Sequence, residues 1–240
     1  MKNIVYMTDY AIQPNENVIK FWNWLTDKKI EFYWIDHHIT AIENLNHLHV
    51  PGLQQTNYSG CMNTWKFLFP EDEHIPMCIR FASDFDTWNK KTEYSWNKQL
   101  YPLCYFMSSF NIHDLNNNES ELVLTCKGMF DDNEFTNTCI NFGKYIFNYV
   151  LNEYKLANRK IYKITWNDYN CLIVNSSFKG STQFENHEDF NDIDICITWS
   201  FTGKSFQYGL YTAKQNINVG TLAAMYLNGG RTCRRSRRRN

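Results

Sequence analysis

The sequence predicts an α/β fold: a parallel sheet flanked by helices, then a smaller α/β unit, the two joined by a linker helix. Three observations carry this expectation. Two nearly continuous apolar runs, residues 3–8 and 30–35, stand on either side of a stretch with helical spacing. Runs this apolar, alternating with a helix, belong to parallel strands covered on both faces. From about residue 160 the chain turns β-rich, with runs at 161–166, 170–175, 192–201 and 206–212. Between the two blocks, Ile140, Phe142, Tyr145, Ile146, Tyr149 and Val150 mark a helix over 137–156.

The first run, Asn3 to Thr8, leads straight into Asp9. Pro14 and Asn15 introduce a helix, and Val18, Ile19, Phe21, Trp22 and Leu25 keep near the 3.6-residue period until Asp27-Lys28-Lys29 ends it. The second run, Ile30 to Ile35, leads into Asp36-His37-His38. Another helix opens at Ser59-Gly60, passes Met62, Trp65, Phe67 and Leu68, and stops at Pro70. A third apolar strand is expected over Met77 to Ala82, ending in Ser83-Asp84-Phe85-Asp86-Thr87-Trp88. The Asn-rich stretch 111–120 reads as a loop. After the β-rich block, 218–226 reads as a short helix leading into Gly229-Gly230. Trp22, Trp24, Trp34 and Trp65 read as core residues. There is no internal repeat.

A length of 240 residues with 43% hydrophobic and 17% aromatic content suffices for one large core or two smaller ones. No run of about eighteen apolar residues occurs, so no membrane span is expected. The start, Met1-Lys2-Asn3-Ile4, lacks the layout of a signal peptide. The eight cysteines form no CxxC pair and read as reduced thiols of a cytoplasmic protein. The formal charge of −1 hides a break: the first 230 residues carry 16 Lys and 2 Arg against 25 acids, a net −7, whereas Arg231 to Asn240 carries six Arg.

An acid followed by two imidazoles fills a core poorly and holds divalent metal or touches phosphate well. In a sheet of parallel strands, functional groups gather at the carboxyl ends. Asp9, His37 and Asp84, read as lying on three neighbouring strand ends, offer three ligands for Mn²⁺ or Mg²⁺, ions that favour oxygen with some nitrogen. His38, one residue on, points elsewhere and suits a hydrogen bond to a phosphate oxygen. The reaction class is attack of a metal-activated water on a phosphoester or phosphoanhydride. Asp after a strand also caps turns, and paired acids also line solvated loops; the acid-His-His tandem on the next strand favours ligation. Ser59-Gly60 reads first as a helix N-cap and second as a phosphate-binding helix terminus. Asn175, ending a strand of the second unit, is a candidate nucleotide contact.

The Asp9 strand end, Ile35-Asp36-His37-His38-Ile39-Thr40-Ala41, Ser59-Gly60-Cys61 opening a helix, and Ala82-Ser83-Asp84-Phe85-Asp86-Thr87-Trp88 come in an order that resembles the DHH phosphoesterase superfamily. That superfamily includes single-strand exonucleases, nanoRNases, cyclic-dinucleotide phosphodiesterases and a class of inorganic pyrophosphatases. The second half resembles the DHH-associated C-terminal domain. The resemblance implies that Asp9 is the bridging ligand, His37 the metal-ligating histidine, His38 the phosphate-contacting one and Asp84 the last aspartate ligand, with Asp86 second choice for that role. Asp36 then orients the site without binding the metal. The family's Gly-Gly-Gly-His loop would begin at Gly229-Gly230.

Two family elements have no counterpart. The superfamily's first motif, a His with two Asp, precedes the strand ending in Asp9, and Gly230 is followed by Arg231-Thr232-Cys233 in place of Gly-His. The resemblance therefore implies a truncated DHH domain over 1–134, a linker helix over 135–157, a truncated C-terminal domain over 158–230 and an aberrant Arg-rich tail over 231–240. Arg codons beginning AG, read one base later, begin with G, so a frame change after Gly230 accounts for the tail; its rival is a basic tail that contacts nucleic acid phosphates. The expected function is metal-dependent hydrolysis of phosphodiester bonds in short oligonucleotides or cyclic nucleotides, impaired by the truncation. The alternatives are a non-catalytic nucleotide- or nucleic-acid-binding remnant and a pyrophosphatase-like phosphoanhydride hydrolase. A homodimer without membrane association completes the expectation.

Overall fold

The computed structural model describes residues 3–12, 15–176, 181–185, 187–214 and 216–227. Pro14, Gly229, Gly230 and the Arg-rich segment 231–240 lie outside them. The chain divides into two units, Met1–Phe147 and Asn148–Asn240, and the fold is α/β.

In the first unit, β1 (Ile4–Thr8) pairs in parallel with β2 (Glu31–Asp36) across the helix α1 (Asn15–Asp27). The strand β3 (Gly52–Gln54) adds to the other side of β2, again in parallel, giving the order β1-β2-β3. Apolar spacing explains the layering. Val18 and Leu25 of α1 bury against Phe32 and Trp34 of β2, together with Ala41 and Leu45 of α2 (Ile39–Leu45) and Val50. Burial of each such large side chain is worth about 1.5–3 kcal/mol. Trp34 is 3% exposed, but Trp24, also expected in the core, is 51% exposed: it falls on the outer side of α1.

A second core gathers around α3 (Gly60–Leu68), α4 (Met77–Asp86), a π-helical turn at Trp96–Leu100, α5 (Tyr101–Met107), α6 (Glu121–Asp131) and α7 (Asn133–Asn158). Cys78 and Phe81 of α4 pack there with Leu100, Leu103, Met129 and Ile140. The expected strand over Met77 to Ala82 is thus the first part of a helix. Pro76 stands at its N-cap, and Met77, Phe81 and Phe85 recur every four residues, which is helical spacing. The third strand is instead the three-residue β3, whose Gly52 has φ 137°. A β-carbon there would stand 1.9 Å from the Trp34 carbonyl oxygen, so only glycine allows that approach.

In the second unit, β4 (Tyr162–Trp166), β5 (Tyr169–Asn175), β6 (Ile195–Phe201) and β7 (Phe206–Tyr211) form one sheet in that order. Pairing is antiparallel, parallel and antiparallel in turn. The β4–β5 hairpin closes through Asn167 and Asp168, both with positive φ, as a two-residue turn of the twist-matching kind requires. One face packs Cys171, Ile195 and Ile197 against Val219 of α8 (Val219–Tyr226); the other packs Leu172, Val174 and Cys196 against Phe184. No helix among the described residues is long and apolar enough to cross a membrane. The seven described cysteines are free thiols, and burial pushes Cys78 up to about 11 and Cys196 up to about 12.

Candidate metal centre

The parallel register Thr8↔Ile35 sets Asp9 and Asp36-His37-His38 side by side at one edge of the sheet. The Asp9 backbone N–H donates to the Ile35 carbonyl at 2.9 Å, then the chain turns through a left-handed φ of 53° at Asp9. That conformation costs a non-glycine residue on the order of 1 kcal/mol and is common where a side chain is held for function. Trp34 Nε1 donates to the Tyr10 carbonyl at 3.0 Å and anchors the segment beyond it.

His37 is the hub. Its Nε2 lies 3.1 Å from Asp9 Oδ1 and 3.1 Å from Asp86 Oδ2. The hydrogen bond to Asp9, opposed by burial and aided by the charges of Asp86, Asp9 and Asp36, holds the imidazole more basic than an ordinary histidine. Asp36 is wholly buried, and its Oδ1 accepts from the His37 backbone N–H at 2.8 Å, the His38 backbone N–H at 3.4 Å and His38 Nδ1 at 2.7 Å. A carboxylate acceptor places the proton on Nδ1 and leaves Nε2 as the nitrogen Asp36 does not engage. The His38 side chain is 53% exposed. Ligand atoms of Asp9, His37 and His38 all lie within 4.8 Å of one another.

Asp84, the first choice for the last ligand, does not reach His37 by any bond in the structure. Its two oxygens accept from Asn89 Nδ2 and Thr92 Oγ1. The reason is geometric: two residues apart on a helix are turned by about 200°, so only one acid of the pair faces the sheet edge. That acid is Asp86, at the end of α4.

Ser59 caps α3, its Oγ accepting from the Met62 N–H at 3.3 Å, and its own N–H donates to Ser83 Oγ at 3.3 Å. The next residue, Gly60, is buried against Asp9. Asn175 is exposed at the end of β5, opposite Trp199, in the second unit. Gly229 and Gly230 lie outside the described residues. Sequence reasoning missed Asn63. This fully buried side chain donates to the Asp36 carbonyl at 3.2 Å and the Gln55 carbonyl at 2.8 Å, tying α3 to the strand end that carries the histidines. Its signal was a lone amide on the apolar side of a predicted helix.

Donors at right angles around an ion with ligand bonds of about 2.1 Å stand about 3.0 Å apart. The two His37–carboxylate separations are of this size, but the ligand atoms that all stand within 4.8 Å of one another are those of Asp9, His37 and His38, with Asp86 joined to them through His37. One carboxylate and two imidazoles are donors that a divalent ion accepts.

No protein-family model matches the chain, and no curated protein matches it. Among solved structures, a crystal structure of an uncharacterized protein from Helicobacter pylori G27 aligns over 95% of this chain and 74% of its own, with 16% identity and a TM-score of 0.38.

Proposed function

We propose that this chain is a DHH-type phosphoesterase that hydrolyses phosphodiester bonds in short oligonucleotides or cyclic nucleotides, with one Mn²⁺ or Mg²⁺ held by Asp9, His37 and Asp86. The observation that carries the proposal is His37 Nε2 standing 3.1 Å from a carboxylate oxygen on each side, next to a second histidine pinned by a buried aspartate. A bound divalent ion supplies Lewis acidity and lowers the pKa of water. The protein residues do the rest. Asp36 fixes the His38 ring through its Nδ1–H, and the doubly protonated imidazole then donates its Nε2–H to a phosphate oxygen as charge develops there. The left-handed turn at Asp9 and the bare Gly60 beside it hold the Asp9 carboxylate against His37.

The test is hydrolysis of bis(p-nitrophenyl) phosphate by the full chain with Mn²⁺. Wild type turns over, and His37→Ala loses activity at least 100-fold with an unchanged melting temperature. Activity equal in wild type and His37→Ala, or none in a folded wild type that binds Mn²⁺, overturns the catalytic assignment. A second reading, a nucleotide-binding module without hydrolysis, is favoured by one observation: among the described residues there is one metal-capable group, Asp9 with His37 and His38, whereas the DHH phosphoesterases it resembles use a two-metal site.

A further inference from the structure

In the first unit a cleft of about 310 Å³ opens between α3, α4 and the segment 92–94. That volume suits a small-molecule site. Buried Met62 and the rings of Tyr58 and Tyr94 give it apolar walls. Both rings are held: Lys66 Nζ lies 4.3 Å from the centre of the Tyr58 ring, and the Tyr94 ring meets Phe81 edge-on at 4.4 Å. Arg80, Asp84 and Glu93 stand in the same cleft. Arg80 and Glu93 pair neither with each other nor with another charge among the described residues. The Asp84 oxygens accept one bond each, from Asn89 and Thr92, and keep further acceptor capacity.

We propose that this cleft binds a guanine base. A guanidinium supplies two parallel N–H donors, and a carboxylate supplies two acceptors. Guanine offers O6 and N7 as an acceptor pair on one edge, and N1–H with N2–H₂ as a donor pair on the next. Arg80 takes the first pair and Glu93 the second, while Tyr58 and Tyr94 offer ring faces for stacking. Adenine, cytosine and uracil each present a single donor group and so leave part of the carboxylate unmet. Two carboxylates beside one guanidinium also disfavour a bare anion such as phosphate. Ser83 lines the cleft as well, and its Oγ accepts from the Ser59 N–H; the next residue, Gly60, packs on Asp9. The cleft thus adjoins the metal centre across the N-cap of α3. That the guanine belongs to a phosphoester substrate rests on the function proposed above; guanine binding itself does not.

Calorimetric titration of the full chain with guanosine, which carries no phosphate, tests it. The expected result is binding about ten-fold or more tighter than that of adenosine, cytidine or uridine, as one bidentate pair provides. Guanosine binds without Mn²⁺ and binds equally to His37→Ala, so its binding is read apart from hydrolysis. Arg80→Met, and Glu93→Gln at an exposed position, each weaken guanosine about ten-fold or more with an unchanged melting temperature. No guanosine binding, equal binding of the four nucleosides, displacement by inorganic phosphate, or indifference to both variants overturns the proposal. Any of these leaves the phosphoesterase reading to the hydrolysis assay, and a chain that binds guanosine but does not hydrolyse fails only that reading.

Discussion

A β-carbon added to Gly60 would stand 2.5 Å from both the β-carbon and Oδ1 of Asp9. The first residue of α3 thus has to be glycine for the Asp9 carboxylate to reach His37. Gly60→Ala has no strained φ to overcome, so its effect falls on Asp9. The expected outcome is a loss of Mn²⁺ affinity of about 10–100-fold, the usual effect of displacing a group that supports a ligand, with destabilisation of about 1–3 kcal/mol from overpacking. Calorimetric titration and a thermal melt of the same sample separate the two effects.

Asp84 and Asp86 stand two residues apart on α4, turned about 200° from one another, and should behave differently. Asp86→Asn removes an oxygen charge from His37 and weakens Mn²⁺ binding at least ten-fold. Asp84→Asn keeps one of its two acceptor bonds, from Asn89 or Thr92, touches no group on His37, and leaves binding within about two-fold. Equal effects from the two variants would show that the end of α4 is arranged otherwise in solution.

Asn63→Ala leaves the Gln55 carbonyl without its buried amide donor, while the Asp36 carbonyl keeps the Gln55 backbone N–H at 3.1 Å. The orphaned carbonyl costs about 1–3 kcal/mol. The melting temperature should fall by several degrees, and hydrogen exchange should rise first at Asp36 to His38. A variant that melts with wild type would mean that water replaces the amide there.

How much of this was legible beforehand follows the strength of each periodic signal. The 26-residue α7 comes from a long run at helical spacing, and the six-residue runs 3–8 and 30–35 read as strands because a helix-spaced stretch separates them. Asp9 and Asp36-His37-His38 were placed together because parallel strands end on one edge. Met77 to Ala82 is only six residues of apolar chain, a length at which strand and buried helix look alike. Pro76 ahead of it and Phe85 four residues after Phe81 were the helical signs. Once that segment is a helix, the choice between Asp84 and Asp86 follows from the turn per residue. The strand β3 has three residues and a glycine at its head, too little pattern to be found without its partner Trp34. Asn63 showed in the sequence only as a lone amide in a predicted helix; its two acceptors are backbone groups, which a sequence does not display.

In the second unit, Lys214 Nζ lies 2.7 Å from Asp194 Oδ1, and the Asn170 N–H also donates to that carboxyl. Chiefly the Lys214 bond holds Asp194 below the usual carboxylate range. A carboxyl depressed on folding adds stability above its unfolded pKa of about 3.9 and loses it as pH falls through the lower folded value. The pair is partly exposed, so the gain is at most about 1 kcal/mol. Lys214→Met should therefore lower stability at pH 6 and lose that difference as the pH falls below the unfolded value of about 3.9 and through the lower folded one. A constant difference across that range would assign the effect to packing of the lysine stem.

The most direct measurement is the number of Mn²⁺ ions bound per chain, counted by electron paramagnetic resonance titration of the full-length protein and of His37→Ala. The account predicts one ion per chain in the wild type and none at the same concentrations in a folded His37→Ala. A folded wild type that binds no Mn²⁺, or a His37→Ala protein that still binds one ion as tightly, would contradict it.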